Sequence, residues 1–357
     1  MRTRLIIMAV LVLVLVLSLA ACNTVYFYGQ AVTGQLNILM RRENIEKLLD
    51  DPETDPVLRE QLNTILDIRT FAEAEMALPV EDNFATYADV GRPYVVWNVF
   101  AAHEFSLDRK NWCYPIAGCV SYRGYFSEDA ARKYAAELAE DGFDVWVGGI
   151  AAYSTLGWFA DSVLNTVINR DDYRLAALLF HELAHQVVYV PGDTQFNESF
   201  ATAVEMEGLK RWLSRSRDVG EVDAVVANAT REKAYREQFV ALVQSYLPRL
   251  NTLYDSGMPE ADMRREKAAL FDTMRQDYAV MKADWQGYNA YDAWFADEIN
   301  NAKINTIGTY FNHVPAFDAL LVESGSDLPT FYTRVAELGT MSREDRHARL
   351  ESLGMAD

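Results

Sequence analysis

Residues 175–201 read Leu175-Ala-Ala-Leu-Leu-Phe-His-Glu-Leu-Ala-His-Gln-Val-Val-Tyr-Val-Pro-Gly-Asp-Thr-Gln-Phe-Asn-Glu-Ser-Phe-Ala201. His181 and His185 stand four positions apart, which on a helix puts both on one face, a turn from each other. That spacing lets both imidazoles hold one Zn²⁺, while Glu182 between them reaches a water at the metal. Leu175, Leu178 and Leu179 precede the motif and Val187 and Val188 follow it, so the helix is expected to be buried. Buried histidines and a buried glutamate need partners, and a metal satisfies all three. Pro191-Gly192 forces a turn, after which a second helix, expected over Asn197–Leu213, doubles back antiparallel to the first.

A catalytic zinc has three protein ligands and an open position. His181 and His185 supply two. A histidine six residues beyond His185 would be the third in one arrangement, but that position is Pro191. Glu198, opening the second helix, is the best candidate, and Asp193 in the turn is the runner-up. Glu182 is then the general base that takes a proton from water and passes it to the leaving amine. Thr202 and Glu205 follow Glu198 on its helix face, either as partners of a metal-bound histidine or as a polar rim.

Outward from this pair, helical periodicity runs from Ala31 to Met76, broken at Asp50–Pro56. Tyr94–Phe100 and Phe143–Tyr153 read as strands, separated by an amphipathic helix over Ser127–Asp141 with Ser127 as cap and Gly142 after its end. Helices are expected over Val222–Leu250, Glu260–Asp284, Tyr291–Tyr310 and Asp327–Leu353. The charged residues of 231–282 read as a solvated helix face. These patterns divide the chain into 1–21, a leader; 22–93, a tether and helices; 94–215, an α+β catalytic core; and 216–357, a helical region completing the cleft.

The formal net charge of -19 over 357 residues, with no basic run, argues against nucleic acid as a partner. Arg2 and Arg4 precede an uninterrupted apolar run, Leu5–Leu17, that is short for a membrane span. It ends Leu19-Ala-Ala-Cys22, which resembles the lipobox of bacterial lipoproteins. That resemblance implies export, lipidation of Cys22 and a chain tethered to the membrane of the bacterial cell envelope, facing the periplasm. Asn23 after the cysteine favours the outer membrane. In that oxidising compartment Cys113 and Cys119, flanking a turn with Pro115 and Gly118, are expected to form a disulfide.

His181-Glu-Leu-Ala-His185 with Asn197-Glu-Ser-Phe-Ala201 resembles the gluzincin clan of zinc peptidases. The clan's third ligand is the glutamate of its Asn-Glu pair, which corresponds here to Glu198, with Glu182 as base. The twelve residues between His185 and Glu198 are several fewer than that clan has, so a tighter turn must join the helices. Longer matches, Val95-Val-Trp-Asn-Val-Phe100, Tyr122-Arg-Gly-Tyr-Phe126, Ala152-Tyr-Ser-Thr-Leu-Gly-Trp-Phe159, Phe180-His-Glu-Leu-Ala-His-Gln186, Gly192–Ala201 and Asn300-Asn-Ala302, resemble a bacterial family of predicted aminopeptidases.

Together these readings imply an α+β, predominantly α-helical chain, with a zincin-like core and a small β-sheet beside the HExxH helix. The implied activity is that of a membrane-tethered zinc aminopeptidase using one Zn²⁺ per chain on peptide substrates. An endopeptidase, a cell-wall peptide hydrolase, or a non-catalytic zinc-binding lipoprotein are the alternatives. By analogy with zincins, Tyr153, Ser154, Thr155, Leu156 and Gly157 form the substrate edge, and Tyr310, or else His313, steadies the oxyanion. Glu205 and Glu298 are candidates for holding a substrate ammonium. His103 and His347 are expected to be surface or structural residues, and no protein partner follows from the sequence.

Overall fold

The computed structural model describes residues 27–114, 118–151, 160–215, 219–307 and 313–354. It opens with a helix over 27–40 (α1), strand β1 (Arg42–Asn44), and helices α2 (Ile45–Asp50) and α3 (Pro56–Ala74). The sequence break before α3 works through a cap: Asp55 accepts from the Val57 and Leu58 amides. Pro56 stands at the helix start, where its missing N–H costs nothing. The two helices expected here are three helices and a strand, because Asn44 caps α2 by accepting from the Lys47 amide and β1 pairs with a later strand.

The α+β unit contains β2 (Thr86–Ala88), β3 (Val96–His103), the hairpin β4 (Trp112–Tyr114) and β5 (Gly118–Val120), β6 (Arg123–Tyr125), α4 (Glu128–Glu140), β7 (Phe143–Ile150) and β8 (Val163–Leu164). Strand β3 lies between β6 and β7, antiparallel to both, with Trp97 opposite Tyr125 and Val99 opposite Val147. Ser127 caps α4 by accepting from the Ala130 amide, and Gly142 at φ 85° turns the chain back into β7. Ala131, Ala135 and Leu138, at helical spacing, bring α4 down on Trp97, Val99 and Ala101. A second sheet runs β1-β2-β8, with β2 parallel to β8. Cys113 and Cys119 face each other across the β4–β5 register and form a disulfide, their Cα atoms 3.9 Å apart.

The remainder is helical: α5 (Asn165–Ile168), α6 (Asp172–Val187), α7 (Thr194–Leu213), α8 (Val219–Tyr254), α9 (Glu260–Lys282), α10 (Asp292–Ala296), α11 (Asn301–Ile304), α12 (Val314–Glu323), α13 (Leu328–Gly339) and α14 (Arg343–Gly354). The chain is thus α+β and mostly helical. One core surrounds α6 and α7 with side chains from both ends of the chain, including Ile65 and Ile68 of α3, Phe317 of α12 and Phe331 of α13. A second core joins Phe239, Val243, Tyr246 and Leu250 of α8 to Phe271, Met274 and Tyr278 of α9, both sets at helical spacing. Buried Lys267 ties α9 to the β-unit, donating to Asp144 at 2.6 Å and to the Glu104 carbonyl at 2.7 Å. Asn301 adds three bonds, to the carbonyls of His103, Glu104 and Ser106.

Two C-terminal expectations are corrected. The single helix expected over 291–310 is α10 and α11. The Trp294 and Phe295 carbonyls that would continue α10 are taken by the Lys303 ammonium and the Arg275 guanidinium. Asn300 then starts α11 by accepting from the Lys303 amide. The helix expected over 327–353 is α13 and α14, interrupted where the Ser342 hydroxyl accepts from the Asp345 amide. Among the described residues no helix is long and apolar enough to cross a membrane.

Candidate metal centre

Helices α6 and α7 meet as an antiparallel ladder whose rungs are Phe180 on Gly208, His181 on Glu205, His185 on Glu198, and Val190 on Asn197. At the open end, a Cβ on Gly208 would sit 2.6 Å from Phe180 Cδ2, so only glycine admits this approach. At the closed end, the buried Asn197 amide accepts from the Val190 N–H at 2.8 Å and donates to the Val190 carbonyl at 2.9 Å. One side chain thus satisfies both backbone groups of the turn, which is how twelve residues suffice between His185 and Glu198.

Between these ends His181 and His185 project one turn apart, their ring centroids separated by 4.9 Å. Glu198 faces both: one carboxylate oxygen is 3.3 Å from His181 Nε2 and the other 3.7 Å from His185 Nε2. A donor atom from each of the three lies within 4.8 Å of the other two. Around a tetrahedral zinc with bonds of about 2.0–2.1 Å, adjacent donors are about 3.3–3.4 Å apart, so this spacing is metal-sized. Two imidazoles and a carboxylate also suit zinc better than magnesium or calcium, which select oxygen. The residues present fit the ion.

The electrostatics agree with that chemistry. Burial disfavours a charged His181, but the hydrogen bonds it donates to Glu198 and Glu205, and their charges, outweigh it and raise the imidazole to about 10. Burial, then the His181 charge, push His185 the other way, against the pull of Glu198. Glu198 is held low despite burial by the His181 hydrogen bond and by the charges of His181, His185 and Arg236. One positive charge therefore sits between carboxylates while His185 keeps a free lone pair, the arrangement a cation would take over. Glu182 is raised, first by burial and then by Asp161, Glu198 and Glu205, with His181 opposing.

His181 and Glu198 of the triad open onto a cleft of about 680 Å³ lined by α6, α7 and α8 and by Tyr288 and Tyr291. Glu182 also borders a small recess beside Asp161, Phe84 and Leu178. Thr202 lines the cleft; Glu205 lines it too and holds His181 Nδ1 at 3.0 Å. Glu298, considered for a substrate ammonium, is exposed and outside the cleft lining, because the extended segment before α11 turns it to solvent.

Asp193 is not beside the triad's donor atoms. It caps α7 by accepting from the Phe196 amide at 3.2 Å. It also accepts from Arg346 at 2.7 and 2.9 Å and meets His347 Nε2 at 2.9 Å. The other ring nitrogen of His347 lies 3.4 Å from buried His313. His103 is exposed and stacks on Phe143, at 4.6 Å between centroids. Cys22, Tyr153, Ser154, Thr155, Leu156, Gly157 and Tyr310 lie outside the described residues. Sequence reasoning missed the cations Arg170, Arg174, Lys233 and Arg236 on the cleft wall. Lys233 and Arg236, three apart, share a helix face, but nothing in the sequence distinguishes that face from a solvated one.

No curated protein and no solved structure matches the chain. A sequence model of the family described as "Putative aminopeptidase" matches residues 26–350. That span takes in the β-unit, the helix pair with its histidines and glutamates, and the helices that enclose the cleft, and by it the chain belongs to the putative aminopeptidase family.

Proposed function

We propose that this protein is a zinc metallopeptidase, tethered by a lipid on Cys22 to the bacterial cell envelope, that removes residues from the amino end of short peptides. The observation that carries the reading is the convergence of His181, His185 and Glu198, with His181, Glu198 and Glu182 lining an open cleft. His181, His185 and Glu198 would hold the ion. Bound there, zinc supplies Lewis acidity, polarising a carbonyl and lowering the pKa of water toward neutrality. Glu182, with its raised proton affinity, accepts a proton from water on a carboxylate oxygen and returns it to the departing amine nitrogen. Glu205 fixes the His181 ring through Nδ1, leaving Nε2 directed at Glu198. The family name supports cleavage from the amino end.

The test is metal analysis of protein purified without chelator, beside hydrolysis of peptides with free and with acetylated amino ends. About one zinc per chain and hydrolysis of free peptides are expected. Metal-free protein would sink the zinc reading, and hydrolysis of acetylated peptides alone would sink the aminopeptidase reading.

A further inference from the structure

The cleft wall holds as many cations as acids, but they are not equally engaged. Its acids are Glu182, Glu198, Glu205 and Glu232. Glu198 and Glu205 face the histidines. Glu232 accepts two bonds from Arg174, at 2.9 and 3.2 Å, and a third from Asn228. Glu182 is the base.

The cations differ. Arg174 is paired with Glu232, and the charge of Arg236 is felt at Glu198. Among the described residues, Arg170 and Lys233 make no side-chain hydrogen bond or ion pair, yet both line the cleft. The charged neighbour of Arg170 is another cation, Arg174. Lys233 acts at a distance on Asp318, which is outside the cleft lining. They stand on different elements, Arg170 just before α6 and Lys233 on α8, both bordering the cleft that contains His181 and Glu198.

Two cleft cations with no hydrogen-bonded or ion-paired partner among the described residues are matched by a substrate carboxylate, since charge-assisted bonds from guanidinium and ammonium to carboxylate are the strong ones. Resting on the peptidase reading above, we infer that Arg170 and Lys233 bind a carboxylate of the substrate, that of the free carboxy terminus of a short peptide, and so restrict the enzyme to very short chains. A long peptide places no terminal carboxylate there. The residues act on binding, not on the bond being broken.

The experiment uses the full chain loaded with zinc and three peptides: Leu-Ala-Ala, its carboxy-terminal amide, and Leu-Glu-Ala amide. Steady-state kinetics are measured on the parent and on Arg170→Gln, Lys233→Gln and the double variant. Calorimetric binding is measured in parallel on the Glu182→Gln protein. The free acid is expected to show a KM about tenfold below its amide at similar kcat, and a correspondingly tighter Kd. In the double variant the acid-to-amide ratio should fall toward one. A high affinity for Leu-Glu-Ala amide, lost in the same variants, would assign the site to a side-chain carboxylate. Equal KM and Kd for acid and amide in the parent would overturn the inference while leaving the peptidase reading intact. So would variants that weaken both substrates alike and keep their ratio, the mark of a structural role. Selective binding of the acid without hydrolysis by the parent would uphold the carboxylate site and defeat the peptidase reading. Neither binding nor hydrolysis would overturn both.

Discussion

Glu205 Oε2 lies 3.0 Å from His181 Nδ1, on the opposite ring nitrogen from the one that faces Glu198. The imidazole is thereby held between two carboxylates of one helix, and with a metal at Nε2 Glu205 would keep the remaining proton on Nδ1. Replacing Glu205 with Gln keeps the shape and removes the charge. Zinc affinity should fall about 10- to 100-fold. Competition with a chromogenic chelator measures it, and an unchanged affinity would detach Glu205 from the metal centre.

Glu182 lines the cleft but is not one of the three convergent donors. Glu182→Gln should therefore keep about one zinc per chain and lose about 10²–10⁴ in kcat. Metal analysis and peptide hydrolysis on one preparation separate the two effects. Loss of zinc with activity would make Glu182 a ligand or a structural residue.

Asp193 and Arg346 form a buried ion pair, at 1 % and 4 % side-chain exposure. Removing one partner leaves the other charge buried and unpaired, so Asp193→Ala should cost about 3–5 kcal/mol. Urea unfolding of parent and variant gives the difference. A cost below about 1 kcal/mol would show that α14 is not anchored through this pair.

The same network gives stability a pH dependence. Asp193 is opposed by burial, but hydrogen bonds from Arg346, His347 and the Phe196 amide, with the His347 charge, hold its folded pKa below 3.8. Its contribution is therefore present above that unfolded value and lost as pH falls through the folded one. His313 is lowered from 6.5 by burial and then by the His347 charge, against Glu351 and Asp193. Its unfolded form binds the proton first, so stability declines from about pH 6.5 downward to the folded value. Urea midpoints across the acid range should fall in two stages, and His313→Gln should diminish the upper one, which the lowered His185 shares.

Gly208 faces the Phe180 ring, which is fully buried and cannot move cheaply. Gly208→Ala gains about 1 kcal/mol in helix propensity but incurs an overpacking cost of about 1–3 kcal/mol. The net expectation is a lower urea midpoint, and weaker zinc binding because His181 follows Phe180 directly. A more stable variant would show that α6 and α7 have room to separate.

Much of this centre was legible in the chain because helix geometry is local. His181, Glu182 and His185 needed only a periodicity, and Ser127 and Gly142 bounded α4 by capping rules that act within one turn. Even the tight return to Glu198 could be read from Pro191-Gly192, although the means, Asn197 clamping Val190, could not. Asp193 was the ambiguous case. An aspartate in a turn looks equally suited to metal or to capping, and the sequence is silent on Arg346, which lies 153 residues away. Periodicity alone makes 291–310 and 327–353 continuous helices, because the side chains that terminate them, Lys303, Arg275 and Ser342, act on carbonyls and amides that no periodicity reveals.

The sequence by itself determined the donor types and their spacing on α6, since those follow from 3.6 residues per turn and from which side chains can hold zinc. Only the tertiary structure decided what surrounds them. Packing of α7 on α6 brought Glu205 to His181, the fold of α14 took Asp193 out of contention, and the approach of α8 put two ordinary cations, Arg170 and Lys233, on the lining of one cleft. Those relationships join residues far apart in the chain, and burial and charge act between them only after the helices have packed.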